Sequence, residues 1–426
     1  MYFKLFNNLL TKLSYGGLTQ ANQEYFENAK MNEKAEGYKT FIYNNFSSSS
    51  YAAFCDAYSA LQNSKSDCLT TFPPYFKIIT EHENYYRPFI IVMQKNEQTT
   101  GMIVGRILKQ PVNMRIGNFL ILTPVRNCLI VSENGFIVKD DSPEHCKALL
   151  EAMYCNLSSN TFTVINLLWI PLDSVVYRLS RKWVFRDYFP IMDKHWFTDL
   201  EKPFESMLMQ RSRKHRGNLK RTIKKIEGIE KDKFRLREFR SSNDVADLIN
   251  DAEHIAMNSY QRAWGVGFVK NKSIEEALLA SAKEGGLLSY ILYAYDKPCA
   301  FQIGIIHAGT YYIPFLSHDS CYSYYDPGTY LLVKSIIAAC AIEDVTTIDY
   351  GWSDNFLKQR FGNRCRYEAN LSFFAPTFDG LLMCIGKSIT TFITKAFKSL
   401  IVFLKLDKEW NKLKTRRSKL RRVSDP

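Results

Sequence analysis

The chain has 426 residues, 46% hydrophobic and 14% aromatic, enough for two or three packed domains rather than one. Its net charge is +13, yet two acid-free segments hold fifteen of the positive charges: Arg211, Arg213, Lys214, Arg216, Lys220, Arg221, Lys224 and Lys225, then Lys412, Lys414, Arg416, Arg417, Lys419, Arg421 and Arg422. The remainder is near neutral, which excludes a uniformly basic coat and favours localised anionic contacts.

Residues 1–40 are polar and irregular and are expected to form a weakly ordered arm. The first residues lack the pattern of a signal peptide. From Phe41 to Asp199 the pattern is that of an α/β unit. It predicts a helix over Ser49–Asn63, strands over Arg87–Gln94, Gly101–Leu108, Asn118–Thr123, Gly135–Lys139 and Phe162–Trp169, and helices over Pro143–Asn156 and Asp173–Arg181. Lys95–Thr100 reads as the loop of a hairpin. Leu200–Ile226 reads as one long basic helical connector, weakest at Gly217.

A second unit follows. It predicts a strand over Lys233–Phe239, helices over Ser242–Arg262 and Ser273–Glu284, and strands over Leu287–Tyr295, Pro298–His307 and Thr310–Ser317. Then come a helix over Tyr330–Glu343, a strand over Thr347–Gly351 and a closing strand over Glu368–Phe374. Both units run helix, strands, helix, strand. No uncharged apolar run reaches the ~20 residues of a membrane span. The ten cysteines are scattered without a Cys-x-x-Cys pair and the seven histidines are isolated, so neither a disulfide framework nor a metal site is expected, and the cysteine usage fits a reducing cytoplasm.

The most informative stretch is Tyr322–Leu332, where Asp326-Pro327-Gly328-Thr329-Tyr330 joins a strand to a helix. A helix start carries unpaired N–H groups and partial positive charge, and glycine lets a ligand approach closely. Exposed N–H groups of Gly328, Thr329 and Tyr330, on a helix opened by Pro327, therefore point to a phosphate-bearing carrier such as coenzyme A.

The order strand, Pro-Gly, helix, strand, Asp, then the turn Trp352–Gly362 resembles the acetyltransferase-like domain of the GNAT superfamily, in the BioF2-like or CelD-like branch associated with exopolysaccharide biosynthesis. It is similar too to the Fem-type peptidyltransferases. The matching stretches are Arg211–Gly228, Ala263–Gly265, Lys297–Ala300, Gly309–Tyr312, Tyr324–Leu332 and Ile348–Gly362, within about Lys202–Phe374. The usual Arg/Gln-x-x-Gly-x-Gly/Ala signature is replaced by Asp326-Pro327-Gly328-Thr329, which leaves acetyl-CoA, a longer acyl-CoA, an acyl carrier protein and aminoacyl-tRNA open as donors. The resemblance implies two tandem units with mixed, mostly antiparallel sheets flanked by helices, at 41–199 and 229–376, joined by the basic connector at 200–228.

The resemblance also implies transfer of an acyl group from a thioester to an amine. That reaction needs a base, and Asp349 at the end of a central strand and Asp354 in the following turn are the candidates, with an N-cap role as the alternative for Asp354. Tyr312 and Tyr325 are candidate acids or pocket walls, and Trp264 a candidate lining of the acceptor groove. Lys358 and Arg360 lie in the turn that approaches the phosphate-bearing ligand in Fem-type proteins. No metal is expected.

Residues 377–426 combine an apolar stripe at 385, 389, 392, 393, 396, 400, 403 and 404 with a polybasic tail. This is the composition of an interfacial anchor on an anionic membrane, through 385–422; the alternative is a helix docked on its own unit. The expected protein is thus a cytoplasmic acyl-CoA-dependent N-acyltransferase, peripheral at the inner membrane face, acting on a small-molecule or lipid-linked amine of envelope or polysaccharide metabolism. The alternatives are a Fem-like aminoacyl-tRNA-dependent transferase, with the basic helix on tRNA, and a non-catalytic scaffold.

Overall fold

The computed structural model describes residues 37–62, 68–82, 86–117, 119–157, 161–229, 231–263 and 267–403. In chain order these form β1 (Tyr38–Tyr43), α1 (Ser48–Leu61), α2 (Pro73–Glu81), β2 (Arg87–Lys95), β3 (Gln98–Pro111), β4 (Met114–Ile116), β5 (Phe119–Leu122), β6 (Val125–Val138), α3 (Pro143–Cys155), β7 (Val164–Pro171), α4 (Val175–Ser180) and β8 (Ile191–Asp199). There follow α5 (Phe204–Met209), α6 (Arg213–Ile223), β9 (Phe234–Phe239), α7 (Val245–Met257), α8 (Tyr260–Ala263), α9 (Lys272–Lys283), β10 (Ser289–Ala294), β11 (Lys297–His307) and β12 (Thr310–His318). The chain continues with α10 (Pro327–Cys340), β13 (Thr347–Trp352), α11 (Phe356–Phe361), β14 (Arg364–Phe374) and α12 (Phe378–Phe403).

Two compact units result, and they do not follow the linear division at 199/200 and 376/377. The first comprises residues 1–66, 85–191 and 369–394; the second comprises 67–84, 192–368 and 395–426. The boundaries move because the chain returns. In the first unit, Ser372 accepts a hydrogen bond from the Asp187 amide at 2.8 Å and the Phe374 amide donates to Phe185 at 2.8 Å. Phe373, Phe374, Met383 and Cys384 then join a core built on Phe89, Ile91, Leu129 and Phe162. In the second unit, α2 packs against α9, with Leu69 and Tyr75 against the core of α7.

Each unit repeats one topology. In the first, β1, β2, β3 and β6 are successive antiparallel neighbours, and β7 adds parallel to β6 after the crossover helix α3. In the second, β9, β10, β11 and β12 are antiparallel, and β13 adds parallel to β12 after α10. A parallel neighbour requires such a crossover, which is why one long helix interrupts each run of hairpins. Mostly antiparallel sheets flanked by helices are the architecture expected from the sequence.

Differences from the sequence reading are local. The β2–β3 loop shrinks to two residues, Asn96 and Glu97, both at positive φ, the geometry that matches strand twist in a tight hairpin. The basic connector is two helices: Ser212 accepts from the His215 amide and starts α6 afresh, so the break falls at 210–212 rather than Gly217. Of the N-terminal arm, residues 1–36 lie outside the described residues, and 38–40 belong to β1.

Candidate active site

The central strands of the second unit part where the chemistry is expected. β12 and β13 stay in register for three pairs, ending at Tyr312↔Asp349. Beyond them β12 runs on to His318 paired only with β11, while β13 bulges against β8 between Asp349 and Trp352. Pro314 stands inside β12 on its exposed side, where a residue without N–H cannot extend a ladder. Gly351, at φ 73°, and Ser353, at φ 89°, let β13 turn away. Lys358 on α11 fixes that turn, its Nζ donating to the Gly351 carbonyl at 2.9 Å and the Trp352 carbonyl at 2.8 Å.

Asp349 sits at this fork, 5% exposed. Its Oδ1 accepts from the Gly351 amide at 2.6 Å and lies 2.7 Å from His195 Nε2. His195, on β8 and fully buried, sets its Nδ1 at 3.1 Å from Glu368 Oε2. Glu368 in turn accepts from Arg366 Nε at 2.7 Å. A neutral imidazole has one N–H, so an imidazole held between two carboxylates needs one further proton on the ring or on a carboxyl. The result is a chain of four ionisable groups, buried from Glu368 inward, that ends at the fork.

The start of α10 lies on the other face of the same sheet. Odd-numbered Tyr311 and Ile313, and even-numbered Ile348 and Tyr350, pack beneath α10, whereas Tyr312 and Phe315 pack toward α7. Pro327, Gly328, Thr329 and Tyr330 are all buried, so the exposed amides expected from the sequence are not found. Cover comes from α6 and from Arg360, whose Nη1 donates to Thr329 Oγ1 at 3.3 Å and lies 3.7 Å from Asp326. The Tyr330 amide is used, donating to the Asp326 carbonyl at 3.2 Å.

Two local features stand out at this start. Arg360 Nη2 is buried and has no hydrogen-bond partner among the described residues. A Cβ added to the buried Gly328 would meet only His318 Nδ1, at 4.0 Å, so space remains beside that backbone. Burial, then Arg360 and Arg211 beside it, push the His215 pKa down to about 4. Burial also lowers His318, with Asp326 and Asp319 opposing.

A family model described as acetyltransferase (GNAT) domain matches residues 213–359. The second unit carries a GNAT acetyltransferase domain. Among solved structures, FemX is similar with a TM-score of 0.54 at 10% identity, over 82% of this chain and 100% of FemX. A tandem GNAT protein from the clavulanic acid biosynthesis pathway gives 0.48 at 8% identity, over 79% and 98% of the two chains. L-PGS from Bacillus licheniformis gives 0.45 at 11%, over 82% and 98%. At such identities the FemX likeness is one of fold. Comparison with curated proteins finds no match.

Within the GNAT domain, the predicted residues fall into three groups. Tyr312 and Asp349 are registered neighbours at the fork, and Lys358 holds the backbone beside it. Gly328, Thr329 and Arg360 meet at the start of α10. The rest lie apart. Asp354 accepts from Trp196 Nε1 and Gln359 Nε2, each at 2.8 Å, and it is Asn355 that caps α11. Burial opposes ionisation of Asp354, but those bonds and Lys194 outweigh it and hold its carboxyl below the usual range, which makes it a poor base. Tyr325 packs on Phe234 of β9, which three strands separate from β13. Tyr330 donates to Glu227 at 2.8 Å and lines a cavity of about 220 Å³ with Phe234, Leu236 and Leu292. Trp264 lies outside the described residues.

His195, Glu368 and Arg366 were not foreseen. Burial pushes the Lys358 pKa down to about 8, with Asp349, Asp193 and Asp354 pulling the other way. Between about pH 8 and the ordinary lysine value of 10.5, the unfolded chain binds a proton that the folded chain does not. Stability relative to Lys358→Met is therefore expected to rise with pH across that window, by at most about 3 kcal/mol, in urea unfolding at matched ionic strength. A difference that is flat or falls with pH contradicts a buried, depressed lysine.

Proposed function

We propose that the second unit transfers an acyl group from an acyl-CoA to an amine, with acetyl-CoA or a longer acyl-CoA as donor. What carries the reading is the parting of β12 from β13 at Asp349 together with an unpaired, buried guanidinium nitrogen over the start of α10. An acyl-CoA supplies the activated acyl group. Arg360 would hold its phosphates on the α10 face, in the space beside the Gly328 backbone. The fork opens toward the opposite face, where Asp349 accepts the proton that the amine loses. His195 and Glu368 fix the orientation of Asp349, and Arg366 balances their charge. Tyr312, next to Asp349, is the candidate to return a proton to the leaving thiolate.

The expected acceptor is an amino sugar or other amine of envelope or polysaccharide metabolism, as the exopolysaccharide branch of the superfamily would imply. A Fem-like transfer from aminoacyl-tRNA is the second reading, favoured by the exposed Arg213, Lys214, Lys220, Arg221 and Lys224 around α6.

Thermal shift separates them, because a ligand that binds only the folded state raises its melting temperature. Acetyl-CoA or a longer acyl-CoA is expected to raise Tm, and Arg360→Ala is expected to weaken donor affinity about 10- to 100-fold, the loss of roughly 1.5–3 kcal/mol of charge-assisted bonds. A shift with tRNA alone selects the second reading. No shift with any of them rejects both.

A further inference from the structure

Helix α12 is docked the wrong way round for a helix of a water-soluble surface. Its first turns bury Met383 and Cys384, but from Lys387 onward its inward side is polar. In the first unit Ser388 Oγ accepts from the Tyr188 amide at 3.1 Å, Thr391 Oγ1 donates to Asp187 at 3.4 Å, and Lys387 Nζ donates to the Asn113 carbonyl at 2.9 Å. Its outward side is apolar: Leu382 and Ile393 are exposed, Phe392 is exposed beside the Phe189 ring it packs on, and farther along the same helix Leu400 and Phe403 are exposed. An amphipathic helix on a soluble domain normally turns its apolar stripe inward.

A second apolar element stands beside it. The hairpin β4–β5 is tied to the helix by Thr394 Oγ1, which accepts from the Gly117 amide and donates to the Arg115 carbonyl, each at 3.0 Å. All four residues of β5, Phe119-Leu120-Ile121-Leu122, are more than half exposed. Four consecutive exposed apolar side chains next to an outward apolar stripe exceed the scattered hydrophobics of an ordinary surface. No helix among the described residues is long and apolar enough to cross a membrane, so the surface suits lying on a bilayer.

Charge selects the bilayer. Exposed Arg115 lies on β4 itself, and exposed Lys109 precedes the hairpin on β3. Directly after the helix, residues 404–426 carry nine Lys or Arg against three Asp or Glu. We propose that the outward face of α12 and the β4–β5 hairpin together form an interfacial surface that seats the first unit on an anionic lipid membrane. The apolar residues enter the headgroup boundary and the basic residues neutralise lipid charge. This placement stands independently of the acyl-transfer reading, and it gives the helix docked on its unit and the interfacial anchor a common structure: the helix does both, on opposite sides.

Co-sedimentation of the full chain with phosphatidylcholine vesicles, with and without about one-third phosphatidylserine, tests it. Binding is expected with the anionic vesicles and is expected to weaken with added salt. The double variant Leu120→Glu/Ile121→Glu is expected to lose at least about tenfold in affinity, because it removes two inserted apolar side chains. Both residues are exposed, so its melting temperature should match the wild type. Arg416→Glu/Arg417→Glu, in the basic tail, is expected to lose binding in the same direction. Absent vesicle binding by the full chain, or equal binding by the Leu120/Ile121 variant, overturns the proposal. So does a concentration-dependent dimer in sedimentation velocity that this variant disperses while lipid binding stays unchanged.

Discussion

Asp349→Asn is expected to lower kcat for acyl transfer by about 10²- to 10⁴-fold with donor affinity unchanged. The substitution keeps shape and the acceptor oxygen for the Gly351 amide, and it removes the negative charge facing His195 and with it the capacity to take a proton. Donor affinity should hold because the phosphate ligands, Arg360 and the start of α10, sit on the opposite face of the sheet. Steady-state kinetics with a thermal-shift titration of the donor separates the two effects. An unchanged kcat would remove Asp349 from the reaction. A loss of donor affinity with kcat intact would make the fork a binding element only.

His195→Ala is expected to destabilise the second unit by about 3–5 kcal/mol. The imidazole is fully buried and holds Asp349 and Glu368 at once, so its removal leaves two buried carboxylates with one partner fewer each. Arg366 is partly exposed and compensates Glu368 in part; Asp349 retains only the Gly351 amide. Urea unfolding of the variant should show a lower midpoint at unchanged slope. A loss below about 1 kcal/mol would fit an ordinary buried hydrogen bond and not a charged chain. Glu368→Gln separates position from charge: it keeps an acceptor for His195 Nδ1 and loses the charge, so it should preserve much of the stability while lowering kcat if the chain orients Asp349.

How much of this was legible in the sequence depended on distance along the chain. β12, α10 and β13 were visible because their signals are local: apolar runs, Pro327-Gly328 at a helix start, and Asp349 at a strand end. Arg360 was reached through a resemblance, and its burial over Thr329 through the structure alone. The partners of His195 lie 154 and 173 residues away, so nothing near His195 marks it as anything but one isolated histidine. Pro314 was the overlooked local clue: inside a strand that pairs on both sides it is out of place, and here it marks where pairing stops. Tyr325 had the right residue type beside the right motif, but its ring turns to Phe234. The apolar stripe of α12 was legible, whereas the direction it faces was not, since periodicity gives two faces without saying which is inside.

Residues 369–394 complete a body whose other parts all precede residue 192. During synthesis the second unit's strands therefore leave the ribosome before the first unit has received its last strand and closing helix. Until they arrive, the Phe185 carbonyl and the Asp187 amide await partners, and Phe162 and Leu129 lack part of their cover. Domains usually mature in the order in which they emerge. In this chain the earlier-born half must wait for the later one to be made, so a nascent chain stopped anywhere before residue 369 holds an unfinished N-terminal half.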